Sequence, residues 1–136
     1  MPTLTFETAE KALKTAQAKA RELNAPMSVC VLDEGGNLVL AARGDGTGIL
    51  TPDIARAKAY TSVVFKRATK VMAEGATANP SIWSSIASST GAKILVVGGG
   101  VPVLVGGQII GAIGCSGGTA DQDHICAEAA AATLGK

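Results

Sequence analysis

The sequence predicts an α+β fold in which a five-stranded antiparallel sheet carries packed helices, in the order α-β-β-α-α-β-β-β-α. Three observations lead there. Apolar residues make up 47% of 136 residues and charged residues 17%, enough to bury a core in a chain of single-domain length. Apolar spacing of three and four residues marks both ends of the chain as helical. Between them, β-type runs come in pairs joined by short glycine-bearing turns, the signature of antiparallel neighbours. Residues 1–136 read as a single domain, with no linker and no fixed-period repeat.

The first helix opens at Thr5 and places Phe6, Ala9, Leu13, Ala16, Ala20 and Leu23 on one face. Glu7 and Glu10 near its start and Lys19 and Arg21 near its end suit the helix dipole, and Asn24-Ala25-Pro26 stops it. Met27–Leu32 and Leu38–Ala42 follow as strands around the hairpin turn Asp33-Glu34-Gly35-Gly36-Asn37, where Asp33 bonds its own turn. After the loop Arg43–Gly48, Thr51-Pro52 provides an N-cap with proline at the first helical position. That helix runs to about Thr69 and buries Ile54, Ala57, Thr61, Val64 and Phe65. Asn79-Pro80 starts a short helix carrying Ile82, Trp83 and Ile86. Three strands come next, Ile94–Val97, Val101–Val105 and Gln108–Cys115, with Gly98-Gly99-Gly100 and Gly106-Gly107 as turns. The last helix starts from a capping box in which Thr119 and Gln122 satisfy each other's free amides.

Composition narrows the function. Twelve basic and eleven acidic side chains leave a net charge of +1, and aromatics are 3% of the chain. That combination lacks the basic stripe and the stacking platform of a nucleic-acid binder. The longest apolar run, Ile94–Leu104, is broken by glycines and a proline, so no membrane span is expected. The start has neither a charged nor an apolar export region, which points to the cytoplasm. Three widely spaced cysteines, Cys30, Cys115 and Cys126, form no CxxC pair and read as reduced, buried thiols. Met1-Pro2 invites a tautomerase reading with a proline base, but a helix cap follows at once where a core strand is needed. Gly98-Gly99-Gly100 precedes a strand, so it is neither a dinucleotide nor a P-loop motif.

Candidate chemistry gathers near the glycine-dense bend. Ten of the seventeen glycines lie between Gly91 and Gly118. The loop Cys115-Ser116-Gly117-Gly118 runs into the helix capped by Thr119, where free amides at a positive dipole end favour an anion. Glycines that merely take positive φ are the plainer account, and Asp121 and Asp123 already place charge there. His124, the single histidine, can act as a general base or an iron ligand; a surface position at a helix start is the plainer account. Asp123 is its neighbour in acid–base work. Lys58 sits among small residues, able to bind an anion or form a Schiff base, or else to pair with a carboxylate. Arg43 and Asp45 flank a loop glycine and either pair together or, through Arg43, grip a carboxylate.

Several blocks resemble the GlcG/HbpS family, also known as the haem-degrading domain and as the C-terminal part of PduO-type proteins. They are Val31-Leu32-Asp33-Glu34-Gly35-Gly36-Asn37-Leu38, Arg43-Gly44-Asp45-Gly46, Ala57-Lys58-Ala59, Gly98–Val103 and Ile110–Gly118. The resemblance implies a profilin-like α/β sandwich, a homo-oligomer, and binding of haem or an association with corrinoids. It departs at Asp123-His124, where the family usually has Asp-Glu, and at Cys115, where valine is common.

The first functional reading is therefore a cytoplasmic, oligomeric small-ligand-binding protein, with haem or a related tetrapyrrole as the ligand the resemblance implies. Its pocket would draw on Arg43, Asp45, Lys58, Cys115, Ser116, Gly117, Gly118, Thr119 and His124, with His124, Tyr60 or Cys115 on the iron. The alternatives are an enzyme acting on a small hydroxy or oxo acid or an aldehyde, with His124, Lys58 and Asp123 as its catalytic candidates, and an accessory oligomer without a site of its own.

Overall fold

The structure is a computed structural model that describes residues 4–134; the Met1-Pro2 start lies outside them. Its elements are α1 (Phe6–Glu22), β1 (Ser28–Asp33), β2 (Leu38–Ala42), α2 (Thr51–Phe65), α3 (Thr69–Ala76), α4 (Pro80–Ser89), β3 (Gly100–Val105), β4 (Gln108–Ser116) and α5 (Ala120–Ala132). The fold is α+β, with a sheet of four strands in the order β2-β1-β4-β3, every neighbour antiparallel. Helix α2 covers one face, and α1 and α5 cover the other.

Two cores result. Val29, Val31, Val101, Val103, Ile113 and Cys115 pack with the alanines of α1 and α5. Cys30, Leu32 and Ala112 pack with Ala55, Ala59 and Val63 of α2. Because both faces of β1 are covered, its sequence is an unbroken apolar run rather than an alternating one. A bulge in β4, where Val103 pairs with Gly111 and Leu104 with Ile109, turns Ile110 to the same core as Ile113.

The helix caps agree with the sequence at both ends. Thr5 and Thr8 form a capping box at α1, and Thr119 and Gln122 form one at α5. The hairpin agrees too: Asp33 Oδ1 accepts from the amides of Gly35 and Asn37, each at 2.9 Å.

Four expectations are corrected. Ile94–Val97 is not a strand, so the sheet has four strands and not five. That segment lines a groove together with α3 and α4, and the Leu95 amide donates to Thr61 Oγ1 at 2.8 Å instead of to a neighbouring strand. Gly98-Gly99-Gly100 is accordingly no hairpin turn. Second, the helix expected to reach Thr69 stops at Phe65. Lys66 takes a left-handed conformation with φ 58°, its amide on the Ser62 carbonyl, and the chain restarts as α3, an element the sequence did not announce.

Third, α2 is rotated relative to the expected face. Ala55, Lys58, Ala59, Thr61, Ser62 and Val63 are buried, while Val64 is exposed and Ile54, Ala57 and Phe65 are only half-buried. The small residues face inward because α2 lies directly on β4: a Cβ at Gly114 would collide with the Ala55 carbonyl oxygen and stand 2.8 Å from the Ala59 nitrogen. Large side chains cannot enter so close a helix–sheet contact. Phe6, expected in the core, is likewise exposed.

Fourth, Thr51 does not cap its helix. Leu50 holds the cap position without a side-chain bond. The Thr51 hydroxyl instead donates to the Gly48 carbonyl at 2.7 Å and meets Ser28 Oγ at 2.8 Å.

Candidate functional site

The glycine-dense bend between β4 and α5 is the junction of the polar residues that the sequence scatters. Gly117 has φ 152°, and a Cβ there would stand 2.7 Å from Met27 Cα. Only glycine lets the bend close on β1 in this way. The helix start beyond it does attract an anion, and that anion is internal. Asp123 Oδ1 accepts from the Gly118 amide at 2.9 Å, while the Thr119 amide donates to Gln122 Oε1 at 2.9 Å. The amides expected to cradle a ligand are engaged by α5's own side chains.

Lys58 completes this arrangement from the opposite side of the sheet's end. Its Nζ donates to Asp123 Oδ2 at 2.7 Å and to the Cys115 carbonyl at 3.1 Å. Both side chains are 3% exposed. Burial pushes the Asp123 carboxyl above its ordinary range, and the Lys58 ammonium together with the amides of Gly118 and Gly117 pulls it part of the way back. The glycine triplet makes the space: a Cβ on Gly99 would stand 2.9 Å from both Lys58 Cδ and Asp123 Cβ, and one on Gly100 would overlap the Lys58 carbonyl. Lys58 and Asp123 are thus brought together, with each other and not with solvent, so neither has a free face for an external ligand or substrate.

Cys115 is fully buried, and burial raises its thiol well above the ordinary value; it contributes only backbone here. Ser116 is buried beside it, and Gly117, Gly118 and Thr119 reach the surface. The Arg43–Asp45 loop is adjacent, because a Cβ on Gly44 would meet the Met27 backbone that Gly117 also touches. Its charges are not aimed at the bend: Arg43 Nη1 donates to the Thr47 carbonyl at 2.8 Å, and Asp45 forms no ion pair with a described residue. Sequence reasoning missed what anchors this loop. Ser28, fully buried, accepts from the Gly44 amide at 3.1 Å and meets the hydroxyls of Thr47 and Thr51. Nothing in the pattern of a strand residue signalled it.

His124 stands apart. Its Nε2 lies 3.0 Å from Glu128 Oε2, its ring is 13% exposed, and its buried Nδ1 has no hydrogen-bond partner. An apolar groove of about 480 Å³ lies between α3, α4 and residues 94–98, lined by Ala76, Pro80, Trp83, Val96 and Ala120 among others but not by His124 itself. Ala120 and His124 are one helical turn apart on the same side of α5. Tyr60 is not in this neighbourhood; it faces a different cavity, with Gly36 and Arg56. Among the described residues no group of three or more His, Cys, Asp and Glu side chains could hold a bare metal ion, and no helix is long and apolar enough to cross a membrane.

Fold and bend together define a helix–sheet–helix sandwich whose last helix is tied to α2, past the end of the sheet, by a buried lysine–aspartate pair. The chain belongs to the HbpS-like haem-degrading protein family, whose family model matches residues 4–132. It is 36% identical over 133 residues to protein GlcG of Escherichia coli strain K12, covering 98% of this chain and 96% of GlcG. The crystal structure of protein ORFY from Klebsiella pneumoniae superposes with a TM-score of 0.90 at 30% identity, over 98% of this chain and 92% of that one. A crystal structure of a PduOC–haem complex matches with a TM-score of 0.88 at 26% identity, over 99% of this chain and all of the other.

Proposed function

We propose that this protein binds haem or a closely related tetrapyrrole such as a corrinoid, as a cytoplasmic homo-oligomer in which the whole chain forms one domain. The observation that carries the reading is the apolar groove, whose wall includes Ala120, one helical turn before His124, an enclosed imidazole with an unpartnered Nδ1. A tetrapyrrole needs a wide apolar slot and a ligand for its metal, and about 480 Å³ falls within the ~300–1,000 Å³ of small-molecule sites. With few aromatics in the chain, the slot is aliphatic apart from Trp83. The residues present therefore suit the group: Trp83 and the surrounding alanines and valines would hold the macrocycle, and His124 would hold the iron. Because Nδ1 is buried, Nε2 would be the nitrogen on the iron, and its contact with Glu128, whose side chain is 67% exposed, is a surface interaction that a metal can displace. Bound haem would supply a redox-active iron. The haem complex of the PduOC relative supports the same choice.

Self-association is supported by apolar side chains left in solvent, above all Ile49 at 88% and Leu50 at 63% exposed, more than an isolated surface residue requires. The reading as an enzyme on a small hydroxy or oxo acid or an aldehyde keeps only His124 of its catalytic candidates, because Lys58 and Asp123 are bonded to each other, and Arg43 is bonded to its own loop.

Hemin titration followed between 350 and 700 nm tests the proposal. The expected result is a sharp Soret band saturating near one haem per subunit, lost or strongly shifted in His124→Ala. A merely broadened hemin spectrum, identical in wild type and His124→Ala, would overturn it and leave the accessory role.

A further inference from the structure

The side of α2 turned away from the sheet carries Asp53, Arg56, Ala57 and Tyr60, whose spacing of three and four residues makes one continuous stripe. These residues line a cavity of about 270 Å³, completed by Gly36 from the β1–β2 turn and by Ala92 and Lys93 from the turn after α4. Its walls are tightly made. Gly36, with φ 79°, lies against the Tyr60 ring, where a Cβ would stand 3.1 Å from Cε1. Gly91 and Ala92 both take positive φ, 69° and 62°, as the chain turns to present Lys93. A non-glycine residue in that conformation is strained, and such strain collects at binding sites.

Asp53, Arg56, Tyr60 and Lys93 make no side-chain hydrogen bond or ion pair with any described residue. Two cations, one carboxylate and one phenol thus converge on a cavity and leave one another unpaired. We infer that this cavity binds a small organic dianion bearing a hydroxyl group. The Arg56 guanidinium supplies a planar fork and Lys93 a mobile point charge, a pairing suited to an oxyanion with two negative charges. Tyr60 donates a hydrogen bond to the same group. Asp53 accepts from the ligand's hydroxyl and repels any second acidic group placed at that end. The volume lies just under the lower end of the ~300–1,000 Å³ of drug-sized sites, which limits the ligand to a handful of carbons. A phosphate monoester and a dicarboxylate share this chemistry.

Calorimetric titration at low salt with glycerol 3-phosphate, malate and neutral glycerol decides the matter. The expected result is binding of at least one dianion at millimolar or tighter affinity and none of glycerol. Arg56→Ala and Lys93→Ala should each weaken it about tenfold or more, Tyr60→Phe several-fold, and Lys66→Ala, at an exposed lysine elsewhere, not at all. Which dianion binds tells phosphate from dicarboxylate. Absence of binding by both, or binding that ignores Arg56→Ala and Lys93→Ala, would overturn the inference. Hemin binding by Arg56→Ala is expected to equal wild type, so this result stands apart from the outcome at His124.

Discussion

Two residues apart on α2, Lys58 and Arg56 carry the same charge into opposite surroundings. Lys58 faces the sheet, is almost fully enclosed, and bonds to Asp123 and the Cys115 carbonyl. Arg56 faces outward over a cavity and bonds to no described side chain. A buried charge has to be paired, because isolating it from water costs far more than folding can spare. An exposed charge pays no such penalty and remains available to a ligand. The comparison separates polar residues that build the protein from polar residues that can serve it, a distinction invisible in residue type.

The strongest way to break it is Lys58→Met. If Lys58 is architectural, the change strands Asp123 in the interior and destabilises by about 3–5 kcal/mol, read as a lowered urea midpoint. Lys58→Met with Asp123→Leu should recover much of that loss, since no unpaired charge remains. A single variant as stable as wild type would show the pair to be dispensable. Next in size is Gly114→Ala. Forcing α2 off the sheet at the Ala55 carbonyl should cost about 1–3 kcal/mol, measured the same way.

The thiol beneath α2 adds a pH test. Burial raises Cys30 to about 11, against the Arg56 guanidinium pulling it down, and raises Cys126 to about 11 as well. Between the ordinary thiol value near 9 and that range, the unfolded chain has released protons that the folded chain retains. The unfolded state then binds fewer protons, so stability falls as pH rises. Denaturation followed from pH 8 to 11 should show that decline, and Cys30→Ala should make it shallower while Cys115 and Cys126 sustain the rest. A slope identical in the variant would place the titration elsewhere. The smallest effect is expected on α2's outer side, where Arg56→Ala and Lys93→Ala should each leave stability within about 0.5 kcal/mol of wild type. A larger loss would mean that the cavity wall carries the fold.

Local chemistry made much of the fold legible. The Thr5 and Thr119 caps, the Asp33 hairpin turn and the Gly106-Gly107 turn are written in short stretches, because the groups involved are within four residues of each other. The strand expected at Ile94–Val97 fails to form for the opposite reason. An apolar extended run has the same appearance whether it pairs with a strand or lies on helices, and only the Thr61 hydroxyl, 34 residues away, reveals which. The face of α2 differs from the expected one because apolar size alone does not decide burial there, where contact with Gly114 selects for smallness. At the bend, the sequence suggests an open receptor that includes Lys58 and the loop Cys115–Thr119, whereas Lys58, Asp123 and the Gly118 amide close on one another. Asp53 and Arg56 carry no signal in the sequence and Tyr60 reads there only as a candidate iron ligand, since Lys93, which completes the group, arrives from another turn.

What the amino-acid order determined alone was everything enforced by near neighbours: where helices begin, where strands reverse, and the blocks that place the chain in its family. Tertiary structure decided which charges are partners. Lys58 and Asp123 are 65 residues apart, and pairing at that separation depends on desolvation, which exists only once α2, β4 and α5 have closed around both groups.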